Sequence, residues 1–303
     1  MHALVTGGAG FIGSNLVDAL LARNWSVSVV DNFATGQLIN LNDALAAGAV
    51  LHKASVTDSA AMNQLLGKDR PDVVFHLAAQ VDVRRAVSDP FVDAQANVGG
   101  TAAVLEAARA AGTQRVVLAS TGGALYGEAD VIPTPEDAPI APLSPYGASK
   151  AAAESYLALY RRLHGLSTIS LRLANVYGPR QDPLGEGGVV AIMCGAAVSG
   201  RPATVFGDGS QTRDFVFVGD VAAAFLAAAE SDAGGAFNVG TGVETSVLDL
   251  VGELGLEPRF EPARPGEVAR SCLAAGAIRE ALGWSASTPL RDGLEQTLAW
   301  VRS

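Results

Sequence analysis

The chain has 303 residues, 49% apolar and 17% charged, with 21 Lys and Arg against 31 Asp and Glu and a formal net charge of −10. That length buries a sizeable core without disulfide or metal staples, and the low charge density with positive mean hydropathy excludes a disordered chain. The acidic balance, with no basic run longer than Arg84-Arg85 or Arg161-Arg162, excludes a phosphate-backbone binder, so no nucleic-acid partner is expected.

The chain opens on Met1-His2-Ala3-Leu4-Val5 with no basic segment ahead of an apolar one, and no run reaches the ~18 apolar residues of a membrane span. Cys194 and Cys272 lack metal-ligand spacing and suit reduced thiols, so a cytoplasmic protein off the membrane is expected. Residues 3–6 are the first short apolar run, the mark of a strand buried on both faces. It leads into Thr6-Gly7-Gly8-Ala9-Gly10-Phe11-Ile12-Gly13 and then helical spacing over 11–23. Gly7, Gly10 and Gly13 satisfy G-x-x-G-x-x-G, while Gly8, Gly10 and Gly13 satisfy G-x-G-x-x-G, and the pattern does not choose between them. In either reading, missing Cβ atoms let the backbone approach a pyrophosphate, and the helix N-terminus offers unpaired N–H groups and a positive dipole end. An ordinary tight turn would also use glycine, but the second strand, over 27–30, ends in Asp31, 18 residues beyond Gly13. A carboxylate there accepts hydrogen bonds from both ribose hydroxyls and repels a 2′-phosphate, so the expected cofactor is NAD rather than NADP.

Further strands are predicted over 50–52, 73–77, 116–119 and 168–173, with helices over 58–66, 93–111 and 146–164 between them. Six strands alternating with helices predict an α/β fold, a doubly wound parallel Rossmann sheet with right-handed crossovers over residues 1–174. The helix over 93–111 carries an apolar stripe through Val98, Ala102, Leu105 and Ala108, read as core or as an interface between two copies. The helix over 146–164 opens on Ser144-Pro145-Tyr146-Gly147-Ala148-Ser149-Lys150, and the four-residue spacing puts Tyr146 and Lys150 on one face. With five Tyr and only Lys53, Lys68 and Lys150, that pairing arises by chance roughly 0.05 times per chain. A phenol that titrates near ~10 becomes a usable base when an ammonium and an oxidised nicotinamide favour its phenolate, which makes Tyr146 a candidate base for a substrate hydroxyl.

After residue 175 the rhythm changes, with Gly and Pro clustered at 178–179, 183–188 and 207–209. A smaller C-terminal α/β substrate domain is expected over 175–303, with some segments returning to the first domain. Its expected elements are helices near 189–199, 220–230, 246–254, 274–282 and 290–302 and a strand near 236–239. His2, His52, His76 and His164 have no mutual spacing for a metal, and no G-x-S-x-G turn occurs, so neither metal nor serine-hydrolase chemistry is expected.

The Gly-rich turn, Asp31, the run over 72–79 ending in His76-Leu77-Ala78-Ala79, Asn97 and Tyr146-x-x-x-Lys150 together resemble the extended short-chain dehydrogenase/reductases. Within them the likeness is to the UDP-glucose 4-epimerases, over essentially the whole chain. The resemblance implies NAD held by Gly7, Gly10, Phe11, Ile12, Gly13, Asp31, Asn32, Thr35, Gly36, Leu77, Ala78, Ala79, Asn97, Tyr146 and Lys150. The stretch over 171–178 resembles the one whose Asn, here Asn175, contacts the sugar nucleotide, and Arg213 and Arg264 match arginines directed at its pyrophosphate. Val189, Glu267 and Ser271 are the other substrate positions so implied. Arginine forks for a diphosphate make physical sense in so acidic a chain, although Arg213 and Arg264 could instead pair with Asp214 and Glu267.

The chain departs from the family at the catalytic hydroxyl, where Gly122 stands four before Tyr126-Gly127. Thr121 is the nearest replacement and Ser120 the alternative. Dehydratases and decarboxylases of this fold carry an acidic residue just after that hydroxyl, and Gly122-Gly123-Ala124 has none. The resemblance therefore implies a redox-neutral inversion at carbon four of a UDP-hexose, UDP-glucose or UDP-galactose, with the small Ser271 leaving room for N-acetyl forms. It also implies a homodimer built through the 93–111 and 146–164 helices. The alternatives are a dehydratase or decarboxylase of the same family and a non-catalytic NAD-sensing or scaffold protein, against which the intact Tyr146–Lys150 pair speaks.

Overall fold

In a computed structural model describing residues 1–183, 188–264 and 268–302, the apolar runs of the first half are strands of one sheet. They are β1 (His2–Thr6), β2 (Ser26–Asp31), β3 (Val50–Lys53), β4 (Val73–His76), β5 (Arg115–Thr121) and β6 (Ser167–Leu173). Between them run α1 (Phe11–Ala22), α2 (Asn42–Ala46), α3 (Ser59–Asp69), α4 (Val83–Ser88), α5 (Pro90–Ala94), α6 (Gly100–Ala111), α7 (Gly122–Leu125) and α8 (Pro145–His164). The second half adds β7 (Asn175–Tyr177), α9 (Val189–Val198), β8 (Ala203–Phe206), β9 (Thr212–Arg213), β10 (Phe215–Phe217), α10 (Val218–Glu230) and β11 (Gly235–Val239). It closes with β12 (Thr245–Ser246), α11 (Val247–Glu253), β13 (Pro258–Glu261), β14 (Arg270–Ser271), α12 (Gly276–Leu282) and α13 (Leu290–Arg302).

The main sheet has the order β11-β6-β5-β4-β1-β2-β3 with every pairing parallel. Strand direction reverses its walk between β1 and β4, the crevice where such folds bind ligands. Alternation along each strand feeds two cores. Val5, Phe75, Val117 and Ile169 point into one with Leu16, Leu20 and Phe225; Leu4, Val74, Val116 and Leu118 point into the other with Met62, Leu66, Leu105 and Leu157. Leu105 and Ala108 of the apolar stripe are thus core, fully buried. A third core, under the second half, takes Tyr177, Val205, Phe215, Leu250 and Leu294, and it also takes Phe11 from the glycine-rich turn.

Residues 235–239 add to the main sheet, with Gly235 opposite Ile169 and Val239 opposite Leu173, and α10 packs on α1. The expected single helix over 93–111 starts earlier and is interrupted. Asp89 caps it by accepting from Val92 N with Pro90 in the first turn, and Gln95–Gly99 is a π-helical turn between α5 and α6. The short α4 and α7 and the two-residue strands went unpredicted because they are too brief to show a period. No helix among the described residues is long and apolar enough to cross a membrane.

Candidate active site

The turn after β1 has no room for side chains. A Cβ on Gly13 would collide with the Gly7 carbonyl oxygen, and one on Gly7, whose φ is +70°, would lie 2.7 Å from Ala78 N. Gly8 faces away and packs on Val29, so the pattern the backbone uses is Gly7, Gly10 and Gly13. This closely approached turn, opening onto the N-terminus of α1, fits a dinucleotide pyrophosphate. Asp31 is buried, its Oδ2 accepting from Ala9 N at 2.9 Å and its Oδ1 from Phe33 N at 2.7 Å, so one carboxylate fastens the turn to the loop after β2.

These residues wall a cleft of about 640 Å³. Gly7, Gly10, Phe11, Ile12, Gly13, Asp31, Asn32, Thr35, Gly36, Leu77, Ala78, Ala79, Tyr146 and Lys150 all line it. Asn97 does not: it is buried behind the wall, its Oδ1 accepting from Gln80 N and its Nδ2 donating to Gln80 O and Asp93 Oδ1. The π turn aims Asn97 at the 77–80 loop, whose Gln80 lines the cleft. Beneath that loop, burial and the Lys150 charge lower His76 to about 3, so it is neutral, bridging the hydroxyls of Thr6 and Thr101 at 2.8 and 3.0 Å. Thr101 donates to Asn97 O, leaving its oxygen to accept from His76 Nε2.

Tyr146 and Lys150 stand at the other end of the cleft. Ser144 caps α8 by accepting from Gly147 N, with Pro145 in the first turn, which fixes where the helix starts and hence where Tyr146 points. Lys150 Nζ donates to Ala119 O at 2.9 Å and lies 6.0 Å from the centre of the Tyr146 ring. Burial lowers Lys150 to about 8, with Asp93 and Glu154 opposing, so it carries its charge at neutral pH.

One turn beyond Lys150, Glu154, its side chain only 9% exposed, holds a network that the sequence reading missed. Its Oε1 accepts from Ser120 Oγ at 2.5 Å, and both its oxygens accept from Arg172, Oε2 at 2.8 Å from Nη2. Arg172 Nη1 continues to Tyr126 Oη and Glu136 O, and Tyr126 donates to Asn238 on β11. Two signals were available: Glu154 extends the spacing of Tyr146 and Lys150, and Arg172 is a charge inside a strand read as buried, which must be paired.

On the sugar side, Thr121 is half-buried at the end of β5, just past the lining residues Ala119 and Ser120. A Cβ on Gly122 would collide with the Leu273 side chain, which accounts for a glycine where the family pattern has a hydroxyl. A Cβ on Gly123 would lie 3.9 Å from both Asn175 Oδ1 and Ser271 Oγ, so those residues face one space. Arg213 is the register partner of Ser271 on adjacent strands. Asp214 is buried and accepts from Thr241 N, Gly242 N and Leu273 N, so it braces the loops around this space. The Arg264 guanidinium lies over the Phe206 ring at 3.7 Å, and Val189 opens α9, half-buried against the third core. Glu267 lies outside the described residues.

Comparison with known proteins places the same arrangement among sugar-nucleotide enzymes. Residues 3–240 match the model of the NAD dependent epimerase/dehydratase family. A UDP-glucose 4-epimerase of Mycolicibacterium smegmatis is 48% identical over 100% of this chain and 99% of its own length. The structure of the Thermotoga maritima UDP-glucose 4-epimerase with UDP-glucose superposes with a TM-score of 0.95 at 43% identity, over 100% of this chain and 99% of that one. That of the Thermus thermophilus UDP-glucose 4-epimerase with NAD gives 0.92 at 41%, over 100% and 99%.

Proposed function

The chain belongs to the NAD dependent epimerase/dehydratase family, and from that premise we propose that it is a sugar-nucleotide 4-epimerase acting on UDP-glucose and UDP-galactose. NAD is its cofactor. The observation that carries the reading is the Tyr146–Lys150 pair at the end of the cleft, with no carboxylate in the Gly122-Gly123-Ala124 turn beside it. The glycine turn, Asp31 and the Tyr146–Lys150 pair would hold NAD, which would supply a hydride acceptor and donor for the sugar C4. Tyr146 Oη takes the 4-hydroxyl proton and gives it back, and the Lys150 ammonium, anchored on Ala119 O, lowers the free energy of its phenolate. With no second acid beside it, the turn supplies no proton for dehydration or decarboxylation. Arg213 and Arg264 bind the UDP pyrophosphate, and Asn175 and Ser271 line the hexose space, where the small Ser271 leaves room for an N-acetyl group.

The test is incubation with UDP-galactose without added cofactor, looking for UDP-glucose by NMR. Equilibration of the two supports the reading; a 4-keto-6-deoxy product would replace it with the dehydratase alternative, and inert UDP-galactose with release of CO2 and a UDP-pentose from UDP-glucuronate would replace it with the decarboxylase alternative. UDP-N-acetylglucosamine is expected to turn over too; its failure with the plain sugars active would withdraw only the N-acetyl assignment.

Thr121 supplies the hydroxyl that binds the reacting oxygen, because the Ser120 hydroxyl is committed to Glu154. Thr121→Val is therefore expected to lower kcat by about 10²-fold or more, as loss of one donor to the reacting oxygen does. Ser120→Ala should act mainly on stability, by about 1.5–3 kcal/mol for a hydrogen bond to a charged group. The opposite pattern in kcat and unfolding measurements would give the role to Ser120.

The functional unit is a homodimer. Val87, Phe91 and Leu163 are exposed apolar side chains on α4, α5 and α8, which pack on one another, and a second copy would cover them.

A further inference from the structure

The loop after β7 folds back onto α1. Asn15 Nδ2 donates to Phe11 O at 2.9 Å and to Pro179 O at 3.1 Å, tying the loop to the first turn of the cofactor helix. The next residue, Arg180, has φ +73°, a conformation that residues with a Cβ adopt only at a cost. Its Nη2 lies 2.7 Å from Asp18 Oδ2, while its Nη1 is sealed from solvent with no hydrogen-bond partner among the described residues. The side chain lines a small cavity whose walls include Gly10, Phe11 and Thr35, and these three also wall the main cleft. The cavity is thus a side pocket of the pyrophosphate turn.

A salt bridge to Asp18 alone needs neither the backbone strain nor a buried donor left open, and a buried unpaired guanidinium N–H is costly. Both are accounted for if an anionic oxygen completes the fork, and the anion this turn is built for is a dinucleotide pyrophosphate. We propose that Arg180 is a cofactor-binding residue. Turned out of its sealed position toward the side pocket, its Nη1 donates to the pyrophosphate of bound NAD, and the loop over 178–182 latches the dinucleotide from the substrate half. The inference rests on NAD being the resident cofactor, and it bears on retention: a redox-neutral cycle requires the same dinucleotide to stay through many turnovers.

The experiment follows dissociation of NAD and of NADH from purified holoenzyme by exchange against labelled dinucleotide, for wild type, Arg180→Gln, Arg180→Lys and Asp18→Asn. Arg180→Gln is expected to release both forms roughly tenfold to a hundredfold faster, the worth of one charge-assisted hydrogen bond. Arg180→Lys should fall between, keeping the charge without the fork, and it serves alone if Arg180→Gln does not fold. Asp18→Asn should release NAD more slowly than Arg180→Gln. Release at the wild-type rate in both Arg180 variants would overturn the proposal, as would equal acceleration in Asp18→Asn, which would assign the effect to the ion pair. A wild type that bound no NAD would overturn the cofactor reading together with the latch.

Discussion

Tyr146→Phe is expected to lower kcat by about 10²–10⁴-fold, the usual worth of a general base, while NAD remains bound and the unfolding midpoint hardly moves. The substitution removes one oxygen from a half-buried side chain at the end of the cleft, and the features that start α8, Ser144 and Pro145, are untouched. Loss of transition-state proton transfer without loss of binding should lower kcat and kcat/KM equally, leaving KM unchanged. Lys150 adds a pH signature. Its charge is present below about 8 and lost above, so activity should fall on the alkaline side as the phenolate loses its cationic neighbour. Stability should move the other way. Because burial holds Lys150 below its free value of 10.5, the unfolded chain binds more protons between about 8 and 10.5, and this group's contribution to stability rises with pH across that window. Rate and unfolding profiles recorded together check both slopes.

Arg172→Met is expected to destabilise the fold by about 3–5 kcal/mol, because it leaves the Glu154 carboxylate buried without its cation. The side chains of Arg172 and Glu154 are only 7% and 9% exposed, so little solvent screening tempers the loss. Glu154→Leu should cost a similar amount by stranding the guanidinium against Tyr126 and Glu136 O. The double variant, with both charges gone and the volume kept, should recover much of the loss. Denaturant unfolding of the four proteins gives the coupling directly. Additive single effects, or singles as stable as wild type, would show that the pair does not hold β5, α8 and β6 together.

The parts of the fold visible in the sequence are those with a period. Strands covered on both faces leave unbroken apolar runs such as residues 73–77, and Tyr146 and Lys150 share a helical face whatever surrounds them. Asp31 was legible because its role depends on a fixed distance from the glycine turn. What stayed hidden depends on residues far apart in the chain. The Ser120 hydroxyl is committed to Glu154, 34 residues away in the chain. The hold of Asn97 on the 77–80 loop needed a π turn, which has no composition signature. β9, β12 and β14, two residues each, show no alternation, so the space shared by Asn175 and Ser271 emerged only from the fold. Nothing in the sequence marks Arg180, because its strain and its unpartnered donor are tertiary facts.

The central claim is that one hydride leaves the sugar C4 and returns to it within a closed cleft, with Tyr146 handling only the hydroxyl proton. UDP-galactose deuterated at C4, turned over in ordinary water without added cofactor, tests it directly. UDP-glucose is expected with the deuterium still at C4 by NMR and mass spectrometry; label exchanged with solvent during turnover would rule out direct return of the hydride.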